Sequence, residues 1–252
     1  MEQITSRKNP LITHIRKLIS DRTYRRESGE YLGDGVKLLD EAAKWNAAIT
    51  CVVCTEGTVL PELSKGVRVV QVPEDVMASI SPMKAPQGAL FLCGMPGGQD
   101  VPETLSGQRY MVLDGLQDPG NVGTIWRTAD ALGADGLILT GECADPWNHK
   151  TVRATMGACF RLPVYEVKRQ DLPALLERSD LPLYATALRE DTLDLREADL
   201  RRCAVAIGSE GRGVSEEVLA MSQKTLKIPM RERCESLNAA AAATVVLWEM
   251  AR

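Results

Sequence analysis

The chain has 252 residues, 44% hydrophobic and 25% charged, a balance that supports a sizeable core and leaves room for two small domains. No stretch approaches the roughly 18 consecutive apolar residues of a membrane-spanning helix, and the opening segment MEQITSRKNPLITHIRK carries no apolar signal region, so a cytoplasmic location is expected. The formal net charge of -4 excludes a uniformly basic nucleic-acid binder but leaves room for a local basic patch.

Such a patch begins the chain, where Arg7, Lys8, Arg16, Lys17, Arg22, Arg25 and Arg26 outweigh Glu2 and Asp21. A helix over residues 10–20 sets Ile12, Ile15 and Ile19 on one face, with Arg16 and Lys17 beside it. These charges read either as a solvated helix face or as a surface that docks RNA. Residues 37–46 then follow a helical pattern, 49–55 and 67–72 read as strands, 73–80 as a short helix and 89–93 as another strand. Cys51 and Cys54 form a C-x-x-C within the β-branched run ITCVVCT, where they point to opposite faces and cannot share a metal. With His14 and His149 as the only imidazoles and an odd total of seven cysteines, buried structural thiols and no metal site are expected.

Residues 94–109 (GMPGGQDVPETLSGQR) break all periodicity with glycine and proline, the best linker candidate in the chain. The expected division is a first domain over residues 1–96, a linker over 97–108 and a second domain over 109–252. In the second domain, strands are expected at 110–113, 136–140, 162–167, 183–187, 203–207 and 224–228, with helices at 121–132 and 237–252. Apolar strands alternating with helices imply a mostly parallel sheet covered on both faces, an α/β class.

Ligands of open parallel sheets sit beyond the carboxyl ends of the strands, and three such loops carry polar residues and glycine: GLQDPGNVGTIWR, GSEGRGV and PMRERCESLN. The first places Asn121 at an expected helix N-cap, with Arg127 further along the helix. Capping alone would explain Asn121, and a surface arginine would explain Arg127. In the second, Gly208 and Gly211 allow close backbone approach, and Glu210 is a carboxylate between glycines. Its spacing matches neither a dinucleotide fingerprint nor a phosphate loop. In the third, Ser236 is expected to cap the final helix, with Asn238 two residues later.

Taken in order, LDGLQDPGNVGTIWRTADALGADGLIL, ADPWNHKTVRATMGACFRLPV, IGSEGRGVS and IPMRERCESLNAAAAATVVLWE resemble the SpoU (TrmH-like) branch of the SPOUT methyltransferases over essentially all of residues 110–252. The first half is similar to the small α/β substrate-binding domain that many members carry. The resemblance implies a deep trefoil knot in the second domain, S-adenosylmethionine as cofactor, and active sites formed across a homodimer. It implies cofactor contacts from Gly208, Ile228 and Leu237, and a polar catalytic set of Asn121, Arg127, Glu210, Ser236 and Asn238. One departure is Ala239, where many members have valine. The implied reaction is 2′-O-methylation of RNA ribose, ribosomal RNA being preferred and transfer RNA the alternative.

Two other classes compete. A catalytically silent RNA-binding protein on the same fold would not need the intact polar set. A dinucleotide-dependent enzyme would need a glycine fingerprint after its first strand, and Gly33-Asp34-Gly35 lacks the third glycine.

Overall fold

The structure, a computed structural model, describes residues 2–96, 101–189, 192–231, 233 and 236–252. It divides into two compact units: Met1–Gly97 with Trp147–Phe160, and Gly98–Pro146 with Arg161–Arg252. Residues 97–100 of the expected linker lie outside the described residues. The sequence places 147–160 within the second domain, whereas in the structure this segment packs with the first unit.

The first unit is built on β1 (Glu2–Gln3), β2 (Glu30–Asp34), β3 (Ile49–Cys54), β4 (Arg68–Gln71) and β5 (Ala89–Gly94), in the order β1-β4-β3-β5-β2. The β1–β4 and β3–β4 pairs are parallel, and β5 runs antiparallel to both β3 and β2. Helix α1 (Pro10–Ser20) starts where Asn9 accepts a hydrogen bond from the Leu11 amide at 2.9 Å, with Pro10 pre-set for the first turn. It buries Leu11, Ile12, Ile15 and Leu18 in one core with Val53, Val70, Leu90 and Leu92. Strand β2 escapes the sequence pattern because Gly33 interrupts it. That glycine is required, since a Cβ there would run into the Phe91 ring on the neighbouring strand. Helices α2 (Arg22–Ser28), α3 (Val36–Lys44) and α4 (Glu74–Ile80) complete the unit with α6 (His149–Ala154), which packs on β2. The described cysteines are free thiols, buried except for the half-buried Cys143, and Cys234 lies outside the described residues. Burial pushes the Cys51 and Cys93 thiols up to about 11.

The second unit holds an all-parallel sheet of β6 (Arg109–Asp114), β7 (Gly136–Thr140), β8 (Val164–Glu166), β9 (Leu183–Thr186), β10 (Leu193–Asp194), β11 (Cys203–Gly208) and β12 (Lys224–Lys227). The order is β10-β12-β9-β11-β6-β7-β8, so β6 and β11 lie side by side at the centre. Both are buried along almost their whole length, as expected of parallel strands covered on two faces. On one face Tyr110, Val112, Ala204 and Ala206 pack with Leu172, Leu175 and Leu176 of α7 (Leu172–Arg178) and with Val218 and Leu219 of α8 (Glu216–Met221). The alternate residues face α5 (Pro119–Ala131) and α9 (Ala239–Met250), which pack on each other, α9 on β6 and β11 and α5 on β7.

Trp126 anchors that second layer. It is fully buried, and its indole N–H donates to the Leu162 carbonyl at 3.0 Å. Trp126→Ala should therefore lower unfolding stability by about 3–5 kcal/mol through lost burial and a cavity. Urea denaturation followed by circular dichroism checks this, and a loss under about 1 kcal/mol would mean that the site collapses to fill the void.

Candidate active site

The three polar loops follow β6, β11 and β12 at one end of the second sheet, where β9 lies between β11 and β12. Gly208, the last residue of β11, stands in register with Asp114, the last residue of β6. The loop after β11 doubles back at once: the Gly213 amide donates to the Ser209 carbonyl at 2.8 Å, with Gly213 in the left-handed region at φ 66°. A Cβ on Gly208 would collide with the Gly213–Val214 backbone, so only glycine lets the loop close over the strand end.

That closure sets Glu210 opposite α5. The Asn121 side-chain amide donates to the Glu210 carboxylate, and the Asn238 amide donates to the Asn121 carbonyl oxygen at 3.2 Å. A chain of polar groups thus joins all three loops. Two expectations about caps are corrected here. Helix α5 begins two residues before Asn121, at Pro119, and is capped by Asp118, whose carboxylate accepts from the Asn121 backbone N–H at 2.7 Å. Asn121 is thereby relieved of capping, and its side chain is free to reach Glu210. At α9 the cap is Asn238 rather than Ser236, its carbonyl oxygen accepting from the Ala240 and Ala241 amides at 2.9 and 3.2 Å.

Beside this chain lies a cavity of about 200 Å³, lined by Gly208, Ile228 and Leu237 together with Glu210, Met230 and Ser236. Its wall also includes Ala187, Leu226, Ala239 and Ala242, so it is largely apolar with a polar rim. Arg127 stands apart. It is exposed on α5 and has no hydrogen bond or ion pair among the described residues. Six residues after Asn121, it lies about 9 Å along the helix and about 120° around it. Sequence motifs assign no role to Asp114 and Arg169, which lie at the strand ends beneath these loops. Arg169 pairs with the buried Asp114 at 2.8 Å, and their hydrogen bond holds the guanidinium's pKa above its ordinary value. A carboxylate closing an otherwise apolar strand was the available signal.

In the first unit the basic lead-in is partly committed to the fold. Arg25 is buried and donates to the Leu18 carbonyl at 2.6 Å, closing the end of α1, so it is unavailable for docking RNA. Arg7 pairs with Asp75 at 2.7 Å, and Arg16 donates to the Arg7 carbonyl and the Ser79 hydroxyl, each at 3.0 Å. Lys17 lies 5.1 Å over the Tyr24 ring. Lys8, Arg16, Lys17, Arg22 and Arg26 remain exposed. Among the described residues, no group of three His, Cys, Asp or Glu side chains is placed to hold a metal ion.

The arrangement matches a known family. Residues 108–248 fit the model of the SpoU rRNA methylase family, and residues 9–90 that of the MRM3-like substrate binding domain. The chain belongs to the SpoU rRNA methylase family. It is 30% identical to the 23S rRNA (guanosine(2553)-2′-O)-methyltransferase RlmP of Bacillus subtilis, with 99% of each chain covered. The AdoMet-bound rRNA methyltransferase of Sinorhizobium meliloti superposes with a TM-score of 0.85 at 31% identity, covering 99% of this chain and 97% of that one. The SpoU methyltransferase AviRb of Streptomyces viridochromogenes, in complex with AdoMet, gives 0.84 at 28% identity, with 97% of each chain covered.

The double duty of Asn238 yields a test. Asn238→Ala removes both the helix cap and the bond to Asn121, and should cost about 1 kcal/mol of stability. Asn238→Ser keeps a capping oxygen but has no amide to give Asn121, and should restore stability while leaving activity depressed. Thermal melts and methyl-transfer rates on the two variants separate the roles; equal activity losses that track stability would reduce Asn238 to a cap.

Proposed function

We propose that this chain transfers the methyl group of S-adenosylmethionine to a ribose 2′-oxygen of ribosomal RNA, working as a homodimer. The observation that carries this reading is the junction of the Glu210–Asn121–Asn238 chain with the apolar cavity at Gly208, Ile228 and Leu237. The cavity suits the cofactor. Its apolar walls fit an adenine ring and a thioether, and the loop backbones at 208, 228 and 237 offer N–H and C=O groups to the polar edges. When bound, S-adenosylmethionine supplies an electrophilic methyl on a sulfonium.

The protein's part is orientation and charge. A ribose hydroxyl is a poor nucleophile, so its geometry must be fixed and its developing negative charge met by donors. Glu210 fixes the Asn121 amide, which fixes Asn238 and so the rim where Ser236 sits. A guanidinium is a fixed planar cation, which suits Arg127 to clamping an RNA phosphate and stabilising the developing alkoxide, with the 2′-hydroxyl proton passing to solvent. Its separation from the polar chain in one protomer supports delivery of Arg127 from the second. The exposed stripe of Ala241, Val245 and Trp248 on α9, one face of an alanine-rich helix, supports the same pairing. The convergence of the loops after β11 and β12 with the start of α9 supports a trefoil knot in this segment. The first unit would dock the RNA through Lys8, Arg16, Lys17, Arg22 and Arg26, and the apolar-poor opening segment supports a cytoplasmic location.

Arg127→Ala should keep S-adenosylmethionine affinity, measured by calorimetry, while slowing methyl transfer by roughly a hundredfold, the scale of losing one transition-state donor. Unimpaired turnover on native RNA would remove Arg127 from the mechanism.

If Arg127 crosses the interface, mixing inactive Arg127→Ala protein with inactive Asn121→Ala protein should restore transfer, because each mixed dimer rebuilds one intact site. An active protein that sediments at the 27.5 kDa monomer mass would sink the dimer.

A further inference from the structure

Behind the polar chain the second unit contains a charge network that the reading above does not use. Asp114, at the end of the central strand β6, is only 2% exposed. Its two oxygens serve opposite neighbours. Oδ1 accepts from the Arg169 guanidinium, Nε at 2.9 Å and Nη2 at 2.8 Å, and Oδ2 accepts from the Ser215 backbone amide at 2.7 Å. Arg169 follows β8, two strands away on one side, and Ser215 follows β11, the adjacent strand on the other.

To reach Asp114 from β8, the guanidinium must cross the end of β7. It does so over Gly141, where a Cβ would lie 2.5 Å from Nη2. Arg169 also holds Glu217, in the first turn of α8, at 3.1 Å. Ser215 is the cap of that helix and the first residue beyond the GSEGRGV loop. The far end of the loop is therefore pinned to Asp114 directly and to Arg169 through Glu217. Its near end is pinned where Gly208 meets the same Asp114 in register. Glu210 lies between the two fixed ends.

A carboxylate this deeply buried needs a cation to offset its desolvation. Without Arg169, Asp114 would be an uncompensated buried charge, and its grip on the Ser215 amide would weaken. We propose that Asp114 and Arg169 form a positioning clamp that fixes the GSEGRGV loop, and through it Glu210, in the geometry needed for methyl transfer. Both residues act through the loop and touch neither RNA nor the transferred methyl. The inference rests on the functional reading given above.

The test uses the full chain with Arg169→Gln, Arg169→Lys and the double variant Asp114→Asn/Arg169→Gln. Single-turnover transfer of labelled methyl from S-adenosylmethionine to ribosomal RNA, RNA affinity and thermal melting are measured on each. Arg169 is one-third exposed, so Arg169→Gln should fold. Its transfer rate should fall on the order of a hundredfold, as for a reacting geometry displaced by about 1 Å, with RNA affinity unchanged. Arg169→Lys should recover part of the rate, since it restores the charge without the planar fork. The double variant should be no slower than Arg169→Gln, because the two residues act as one unit. Wild-type rates in Arg169→Gln, a loss that merely follows the unfolded fraction, or additive losses in the double variant would each overturn the clamp. Wild-type protein that methylates no RNA would sink the functional reading, and the clamp with it.

Discussion

At Gly208 two backbone segments meet with no space for a side chain between them, and the active end of the molecule is organised around that contact. Because β11 ends on a glycine, the next five residues can fold straight back over the strand end instead of running out into solvent. The fold-back sets Glu210 against Asn121, and Asn121 then holds Asn238, the cap of the last helix. The apolar cavity is the space left beside this closed loop. A parallel sheet makes the arrangement possible, since only parallel strands bring the exits of β6, β11 and β12 to the same end.

The elements visible in the sequence are those whose burial pattern is continuous. The apolar runs of β6, β7 and β11, and the helically spaced apolar face of α1 with Ile12 and Ile15, follow directly from faces that must leave water. Strand β2 is not legible because Gly33 reflects the ring of Phe91, 58 residues away in the chain. The cap differs from the sequence expectation at the start of both α5 and α9 for one reason. Asp118, Asn121, Ser236 and Asn238 are all good capping residues, and local sequence does not say which one the backbone will use. The answer matters chemically, because it decides whether Asn121 spends its side chain on its own helix or on Glu210. The site residues themselves came from motif order and family resemblance. Periodicity alone would have left Arg127 and Ser236 as ordinary surface groups.

The basic lead-in shows the limits of counting charge. Seven cations in a short segment suggest a uniform patch, yet the fold consumes some of them. Arg25 caps carbonyls at the end of α1 from a buried position, and Arg7 is paired with Asp75. Exposed ion pairs of this kind contribute little to stability, but they reduce the local field that an RNA backbone would meet. The same economy operates in the second unit, where Arg161 pairs with Asp130 and Arg169 with Asp114. Arg127, exposed and without a partner among the described residues, differs from these.

This end of the sheet delivers a methyl group to a ribose oxygen of ribosomal RNA. The most direct measurement incubates the purified protein with methyl-labelled S-adenosylmethionine and ribosomal RNA from cells lacking it, digests the product to nucleosides and identifies the labelled species. Label should appear in a single 2′-O-methyl nucleoside and be absent when the RNA comes from cells that contain the protein. Label on a base, or none in any RNA, would contradict it.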